Sequence, residues 1–354
     1  MSEDATSADT IRMFRDQLEL CGLTAGETVG IYTESSRRRD YAQAFAHAAT
    51  ELEATSFHVD LPEQPPREAT DLGGRDGGTG LAAMPSVRES FEGADLVVDL
   101  AFLLFSQEQR QILESGTKMF ACVEPLDVLR RLFPTEDQRR RAIDGMELIG
   151  EAKTLRLTND AGTDLVYEFG PYHACCQYGY ADQPGRWDHF ASTLVTNLAG
   201  DTGVQGTAVL QPGDLVFPFA RYVVEPVRME IKDGMVKSVE GGLDAMFIRD
   251  YMASYDDDRG YAVSHIGWGL NENARWDAMT LSPESMGVDA RSFHGSVMFS
   301  TGPNTHHGGE NDTLCHVDIP MRDCSVHLDD ELIIDHGRVI APSQQAPTDK
   351  VAVA

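Results

Sequence analysis

Residues 94–104 (ADLVVDLAFLL) form an almost unbroken apolar run. A strand of this composition has no polar face to turn toward water, so it belongs in the middle of a parallel sheet that is covered on both sides. Around this run, helical and strand-like patterns alternate from the N-terminus to about residue 150. We therefore predict an α/β domain with an open sheet over residues 1–150.

The pattern changes after residue 150, where short strand-like segments are separated by turn dipeptides such as Pro212-Gly213 and Asp233-Gly234. One clear helix is predicted near residues 243–255. At 354 residues, the chain exceeds what a single hydrophobic core usually supports. We predict a second, β-rich α+β domain over residues 151–342 that carries a metal site, followed by a flexible tail over residues 343–354.

The charge balance limits the classes of molecule that the protein can be expected to bind. The 29 Lys and Arg residues are outnumbered by 57 Asp and Glu residues, which gives a net charge of −28. Such acidity argues against binding to nucleic acid or to an anionic membrane surface, because both require a basic patch. No stretch approaches the roughly 18 apolar residues of a membrane span, and the N-terminal residues lack a signal-peptide core. We expect a cytoplasmic homo-oligomer that binds a small molecule.

Two other patterns indicate no site. The 6 cysteines show no CxxC spacing, so we predict free thiols, including the adjacent pair Cys175 and Cys176. The glycine-rich segment at residues 73–80 lacks the GK[ST] of a phosphate-binding loop and does not join a strand directly to a helix. We predict a surface loop there.

The sharpest chemical pattern is LCHVDIP at residues 314–320. On a strand, side chains at positions i and i+2 point the same way, so His316 and Asp318 would project together. Such a pair supplies two of the three ligands of the two-histidine, one-carboxylate triad that holds non-haem Fe(II). The best candidate for the distant third ligand is His265, whose neighbouring glycines let the backbone approach a ligand closely.

These histidines also have purely structural interpretations, which stay open. The spacing of His316 and Asp318 fits a hydrogen-bonded pair at a sheet edge equally well. His306 and His307 could bind a metal, but their polar, glycine-rich surroundings favour a mobile loop. The remaining histidines of this region are predicted to be structural: His294 in the core, and His327 and His336 at the surface.

Several blocks together resemble the 2,5-dihydroxypyridine 5,6-dioxygenase family over nearly the whole chain. The blocks are YGYAD with PGRWDH at residues 178–189, SHIGWGL at 264–270, FSTGPNT at 299–305, CHVDIP at 315–320, and, in the N-terminal half, Leu103-Leu104, Ser106 and Glu108-Gln109. The resemblance implies the fold of thermophilic metalloprotease-type aminopeptidases. It also implies an extradiol-type dioxygenase that holds Fe(II) on His265, His316 and Asp318 and converts 2,5-dihydroxypyridine and O₂ to N-formylmaleamate without an organic cofactor.

One position departs from this family. After the paired leucines its enzymes can carry a histidine with an acid–base role, and this chain has Phe105. We therefore expect a substrate that is a hydroxylated N-heterocycle or a related aromatic ring, in contact with Phe105, Arg186, Ser300 and Asn304. His189, in a loop-like segment, is our candidate for the group that takes the hydroxyl proton with a pKa near the working pH. Its other interpretation is a structural brace.

Two other functions are compatible with the same fold. A metallo-aminopeptidase of the same fold would need two metals and bridging carboxylates. Where such peptidases place a metal-binding glutamate, this chain has His265, which favours a single transition metal. A non-catalytic binding protein is the second alternative, and the intact set of three ligands argues against it.

Overall fold

The protein is described here by a computed structural model, which describes residues 5–63 and 79–347. The helices are α1 (Ala8–Leu20), α2 (Arg39–Glu51), α3 (Pro85–Glu92), α4 (Gln107–Glu114), α5 (Leu126–Arg131), α6 (Glu136–Glu151), α7 (Leu243–Ser254), α8 (Ala278–Leu281) and α9 (Val288–Ser292). Short 3-10 turns lie at Gly80–Ala83, Asp258–Tyr261 and Thr305–His307.

The strands of the first half are β1 (Thr28–Glu34), β2 (Thr55–Leu61), β3 (Leu96–Asp99) and β4 (Lys118–Ala121). Those that follow are β5 (Thr154–Thr158), β6 (Asp164–Phe169), β7 (Cys175–Gln177), β8 (Trp187–His189), β9 (Leu194–Leu210), β10 (Leu215–Val216), β11 (Arg221–Tyr222), β12 (Val227–Lys232), β13 (Met235–Gly241), β14 (Val263–Gly269), β15 (Val297–Thr301), β16 (Val317–Met321), β17 (Ser325–Leu328), β18 (Glu331–Asp335) and β19 (Arg338–Val339).

A parallel sheet with the strand order β2-β1-β3-β4-β8 confirms the predicted α/β arrangement. Its central strand β3 is fully buried, as the apolar run predicts, but it ends at Asp99 and not near residue 104. The Asp99 carboxylate accepts the backbone N–H groups of Ala101, Phe102 and Leu103 at 2.6–2.9 Å. These bonds turn the chain out of the sheet and toward the site described below.

The edge strand β8 comes from the later half of the chain and pairs in parallel with β4. The segment around His189, predicted as a loop, is therefore a strand of the first sheet. Its register pairs Ala121 with His189, while Ala121 also pairs with Asp99 at the end of β3. The carboxyl ends of these strands meet at one edge, which is where open α/β sheets bind ligands.

The larger sheet is antiparallel and is built around the long strand β9, which pairs with β6, β7, β12 and β14. One end of this sheet has the order β16-β15-β14-β9. Neighbouring strands there place Ser300 opposite Asp318 and His265 opposite Leu198. The described residues thus form a mixed α/β structure with one parallel sheet, one large antiparallel sheet and a small two-stranded sheet of β10 and β11. The division at residue 150 stays a prediction.

Helix α6 begins with a capping box, in which Thr135 and Gln138 satisfy each other's backbone N–H groups. Its buried Arg141 donates to the carbonyl of Leu270 at 2.7 Å. The Arg141 carbonyl accepts the Gln344 side-chain amide at 2.8 Å. Gln344 is fully buried, so packed structure extends beyond the predicted start of the tail at residue 343; residues 348–354 lie outside the described residues.

The structure bears on some of the remaining sequence predictions and leaves others untested. All 6 cysteines are free, as predicted. In the described ranges, none of the helices combines the length and apolar character needed to cross a bilayer. The predicted glycine-rich surface loop lies mostly outside the described residues, although Gly80 begins a 3-10 turn. The cytoplasmic location and the homo-oligomer stay predictions.

Candidate active site

The three predicted metal ligands come together at the end of the antiparallel sheet. His265 lies on β14, Asp318 on β16, and His316 directly before β16. The Nε2 atoms of His316 and His265 lie 3.2 Å and 3.3 Å from the same carboxylate oxygen, Asp318 Oδ1. All three residues are buried.

Hydrogen bonds on the far side of each imidazole set its orientation. His316 Nδ1 lies 2.9 Å from the carbonyl oxygen of Thr301, which can only accept, so Nδ1 carries the proton. His265 Nδ1 lies 2.9 Å from the Ser300 hydroxyl, which donates to the His265 carbonyl at 3.3 Å. In the neutral rings, both Nε2 lone pairs therefore face Asp318 Oδ1.

These donors fit a metal ion chemically. Asp318 Oδ1 is buried without a hydrogen-bond donor, and two lone pairs facing a carboxylate oxygen are repulsive unless a cation lies between them. Ligand atoms about 2.1 Å from an ion, in adjacent positions, are about 3 Å apart, close to the observed separations. Two imidazoles and one carboxylate match the donor set of non-haem Fe(II). The fit rests on this chemistry, since within residues 5–63 and 79–347 no group of three or more His, Cys, Asp or Glu side chains is arranged so that it could hold a metal ion as it stands.

Arg291, on α9, holds the other oxygen of the carboxylate. Its Nε donates to Asp318 Oδ2 at 2.9 Å, and its Nη1 donates to the Met286 carbonyl at 2.6 Å. The guanidinium also lies 4.1 Å from the centre of the Phe217 ring. Burial opposes the ionisation of Asp318, yet the positive charges of His316, when it is protonated in the metal-free site, and of Arg291 hold the pKa of this carboxyl well below its usual range. Arg291 was not predictable as a site residue, because nothing in the sequence around it distinguishes it from a surface arginine.

A cavity of about 610 Å³ opens onto the triad between the two sheets. Six of the predicted site residues line this cavity: His265, His316, Asp318, Phe105, Arg186 and His189. Lining residues that the sequence analysis did not single out include Phe102, Trp187, Met286, Arg291 and Met298. The cavity is therefore largely apolar and aromatic, and its charged lining residues are Arg110, Glu114, Arg186, Arg291 and Asp318.

Phe102 and Phe105 bring aromatic rings to the cavity from the turn after β3. Both have left-handed backbones, with φ of 65° and 67°, a conformation that is costly for a bulky side chain. The Phe105 ring lies 5.6 Å from His316 and 4.9 Å from His306, measured between ring centres. The Phe102 ring lies 5.5 Å from His189. The left-handed backbone at these two positions thus places two phenyl rings beside histidines.

His189 lies at the carboxyl end of β8 and lines the cavity. Its Nε2 is buried and has no hydrogen-bond partner. Burial, together with the positive charges of Arg291 and Arg38, lowers the pKa of His189 to about 3. The ring is therefore neutral near pH 7, and the expectation of a pKa near the working pH does not hold for the ligand-free site.

Arg186 lines the cavity but is held by the protein. Its Nη2 donates to Asp188 Oδ2 at 2.6 Å and to the Cys176 carbonyl at 2.9 Å, and its guanidinium lies 3.7 Å from the centre of the Tyr178 ring. Asp188 in turn accepts the backbone N–H of Gly179 at 2.9 Å. These bonds occupy much of the guanidinium that was predicted to contact the substrate.

Ser300 and Asn304 lie outside the lining of the cavity that the described residues form. Ser300 is fully buried behind His265. Asn304 accepts the backbone N–H of Asn311 through Oδ1 at 2.8 Å, so it shapes its own loop. The structure places both residues where they support their neighbours, and their predicted contact with substrate stays a prediction.

The prediction of a mobile loop is wrong for His307. This residue is buried in a 3-10 turn, with Nδ1 2.7 Å from the His173 carbonyl and Nε2 3.1 Å from Thr196 Oγ1. His306 lines the cavity, with its ring centre 5.4 Å from that of His265. His336 is exposed, as predicted, whereas His327 is half-buried.

Comparisons with known proteins show the family to which the chain belongs. The family profile described as NicX, 2,5-dihydroxypyridine 5,6-dioxygenase, matches residues 9–341. A protein named 2,5-dihydroxypyridine 5,6-dioxygenase, from Pseudomonas putida KT2440, is 39% identical over 343 residues, which cover 96% of this chain and 98% of the relative.

Two solved structures are similar. A structure of the Pseudomonas putida KT2440 dioxygenase has a TM-score of 0.90 at 39% identity and covers 95% of this chain and 98% of its own. Wild-type AmpT from Thermus thermophilus has a TM-score of 0.63 at 13% identity and covers 93% of this chain and 99% of its own. The second likeness concerns the fold alone, and it agrees with the expected similarity to the aminopeptidase fold.

Proposed function

Because the chain belongs to the 2,5-dihydroxypyridine 5,6-dioxygenase family, we propose that it opens the ring of 2,5-dihydroxypyridine, or of a close hydroxylated analogue, with O₂. The product from 2,5-dihydroxypyridine is N-formylmaleamate. Both atoms of O₂ enter the product and the bond between two ring carbons breaks, so the reaction consumes no external reductant. The observation that carries this proposal is the convergence of His265, His316 and Asp318 Oδ1 beside an aromatic-lined cavity.

His265, His316 and Asp318 are the residues that would hold Fe(II) as the resident metal. When bound, Fe(II) would supply adjacent coordination positions for a ring hydroxyl and O₂ and the redox chemistry that activates O₂. The protein supplies a fixed donor set: Ser300 and the Thr301 carbonyl orient the two imidazoles from behind. Such outer partners fix the tautomer and raise the basicity of a ligand histidine.

The aromatic wall gives the cavity a shape suited to a flat ring. Phe105 lies beside His316, and Phe102 lies beside His189. A planar heterocycle bound between them would bury its faces against phenyl rings, which contribute through both area and ring geometry. Apolar side chains such as Met286 and Met298 exclude water from the same space.

His189 is the group that we assign to the hydroxyl proton. Its neutral ring has an unpartnered Nε2 in the cavity wall, so a lone pair or an N–H is available to substrate. With a pKa of about 3 in the ligand-free site, His189 is a weak base. To take the hydroxyl proton and return it in the same turnover, its pKa has to rise toward the working pH when substrate is bound.

A two-metal peptidase has less support in this site. Glu272, an acidic residue near His265 in the sequence, accepts hydrogen bonds from Arg141 at 2.5 Å and from Gln138 at 3.3 Å. The carboxylates that line the described cavity are those of Asp318 and Glu114. A co-catalytic pair of metals needs more bridging oxygen ligands than these residues supply.

The test is anaerobic loading with Fe(II), followed by addition of ¹⁸O₂ and a panel of dihydroxypyridines and catechol-like rings. We expect O₂ uptake matched to substrate loss and two labelled oxygens in the product. A product with a single labelled oxygen, or a requirement for NADH, would contradict the proposal. Turnover supported by two Zn²⁺ ions on a peptide substrate would favour the peptidase.

A further inference from the structure

A buried carboxylate of the N-terminal half reaches across to the segment that precedes α9. Glu124 lies just beyond β4 and is fully buried. Its Oε2 accepts the Ser285 hydroxyl at 2.6 Å and the Met286 N–H at 3.0 Å, while Oε1 accepts the Val288 N–H at 3.1 Å. Both oxygens are thus used to fix one short turn of the other half of the chain.

The same turn anchors Arg291. Met286 donates its N–H to Glu124, and its carbonyl oxygen accepts Arg291 Nη1 at 2.6 Å. Arg291 Nε then donates to Asp318 Oδ2 at 2.9 Å. A continuous series of hydrogen bonds therefore joins Glu124 to the carboxylate of the triad through Met286 and Arg291.

A second contact between the halves holds the helix that carries Arg291. Arg131 donates to both oxygens of the buried Asp289 at 2.6 Å and 2.8 Å. Asp289 also accepts the backbone N–H of Arg275 at 2.7 Å. Because α9 spans only Val288–Ser292, such a short helix depends on these contacts for its position.

We propose that Glu124 is a positioning residue of the metal site, which acts through Met286 and Arg291 to keep Asp318 Oδ1 directed at His265 and His316. The inference rests on the proposed function, since it assumes that the triad binds a metal. If the turn at residues 285–288 loosens, Arg291 loses its carbonyl anchor and Asp318 gains freedom to rotate. Disrupting such supporting bonds lowers metal affinity about 10- to 100-fold in known metal sites.

The experiment measures Fe(II) affinity of the full chain under anaerobic conditions, by competition with a chromophoric chelator, with the thermal midpoint recorded in parallel. Glu124→Gln keeps the shape but places an N–H₂ group against one of the donors. Asp244→Asn is the matched control, because Asp244 is also a buried carboxylate that accepts two backbone N–H groups, those of Val224 and Glu225. If Glu124→Gln does not fold, Glu124→Asp replaces it, since its shorter side chain cannot reach all three donors.

We expect the affinity for Fe(II) to fall about 10- to 100-fold in the Glu124 variant and to stay within about 2-fold of wild type in Asp244→Asn. Combining Glu124→Gln with Arg291→Lys should weaken binding no further than Arg291→Lys alone, because both changes act on one series of bonds. Wild-type affinity in the Glu124 variant, equal losses in the control, or additive losses in the double variant would overturn the inference. A wild-type protein that binds no Fe(II) would instead refute the metal assignment of the proposed function, and this inference with it.

Discussion

His316 Nε2 lies 3.2 Å from Asp318 Oδ1, so two side chains two residues apart meet on one side of the chain at the start of β16. The same oxygen lies 3.3 Å from His265 Nε2, which arrives from β14. β15 separates these strands in the sheet, so the three donors meet across the width of three strands. A rigid antiparallel sheet thus preorganises the site.

Changing His316 to Ala should remove both metal binding and turnover, because it leaves one imidazole and one carboxylate for the ion. We expect iron content, measured after anaerobic loading and desalting, to fall below about a tenth of the wild-type value. His336→Ala is the control, since His336 is an exposed histidine on the same half of the chain. A His316→Ala protein that retains full iron content would show that the ligands are wrongly assigned.

Phe105 should act on substrate binding more than on chemistry. In Phe105→Leu the ring that lies 5.6 Å from His316 is lost, while an apolar side chain remains. Since an aromatic contact contributes about 0.5–1.5 kcal/mol beyond its area, we expect KM to rise about 2- to 10-fold and kcat to change little. Steady-state kinetics at matched iron content measures both.

An unchanged KM in Phe105→Leu would mean that the substrate does not contact this ring. The complementary variant is Phe105→His, which introduces the residue type that the family resemblance implies at this position. If the phenyl ring selects the substrate, this variant should change the order of preference among hydroxylated rings, without a change in iron content.

The sequence predicts the three proposed metal ligands because their signal is local. His316 and Asp318 are separated by one strand step, and His265 is marked by neighbouring glycines. Arg291 has no such mark: its role comes from the approach of α9 to β16, which depends on contacts from Glu124 and Arg131 far away in the chain.

Secondary structure is likewise predictable from the sequence where its signal is local, and not where it depends on distant contacts. The central apolar strand and the alternation around it were predictable, because burial on both faces leaves a composition that can be recognised. The edge strand β8 was not, because it contains only Trp187–His189 and owes its existence to pairing with β4. The burial of His307 likewise depends on Thr196 and His173, which lie more than 100 residues earlier in the chain.

The buried His307 should make stability depend on pH. Burial lowers the pKa of His307 to about 4, whereas an exposed histidine titrates near 6.5. Between these values the unfolded chain binds a proton that the folded chain does not, so the stabilisation is present above pH 6.5 and is lost as the pH falls toward 4. The loss is about 1.4 kcal/mol per pH unit at most.

Denaturant unfolding of the metal-free protein, followed by tryptophan fluorescence from pH 7.5 to pH 4.5, measures this effect. The difference in unfolding free energy between wild type and His307→Gln should shrink as the pH falls, because glutamine does not titrate. His336→Gln should not show this shrinkage, because Asp335 and Asp160 raise the pKa of the exposed His336 and any stabilisation that it gives grows as the pH falls. A constant difference across the range would show that His307 is not held neutral in the folded protein.

The final prediction concerns His189, whose Nε2 is buried, unpartnered and in the cavity wall. If this nitrogen handles the hydroxyl proton, His189→Gln should leave iron content unchanged and lower kcat by about 10²- to 10⁴-fold. Because the pKa of His189 is about 3 in the ligand-free site, activity that is lost through protonation of this residue should be lost only well below pH 7. The kcat/KM of the wild type should therefore show no fall assignable to this residue between about pH 5 and pH 8. Near-normal turnover in the variant would mean that the proton leaves by another route and that His189 only braces the end of β8. A wild-type acidic limb near pH 6.5 that disappears in His189→Gln would instead show that the occupied site raises the pKa of this imidazole toward its ordinary value.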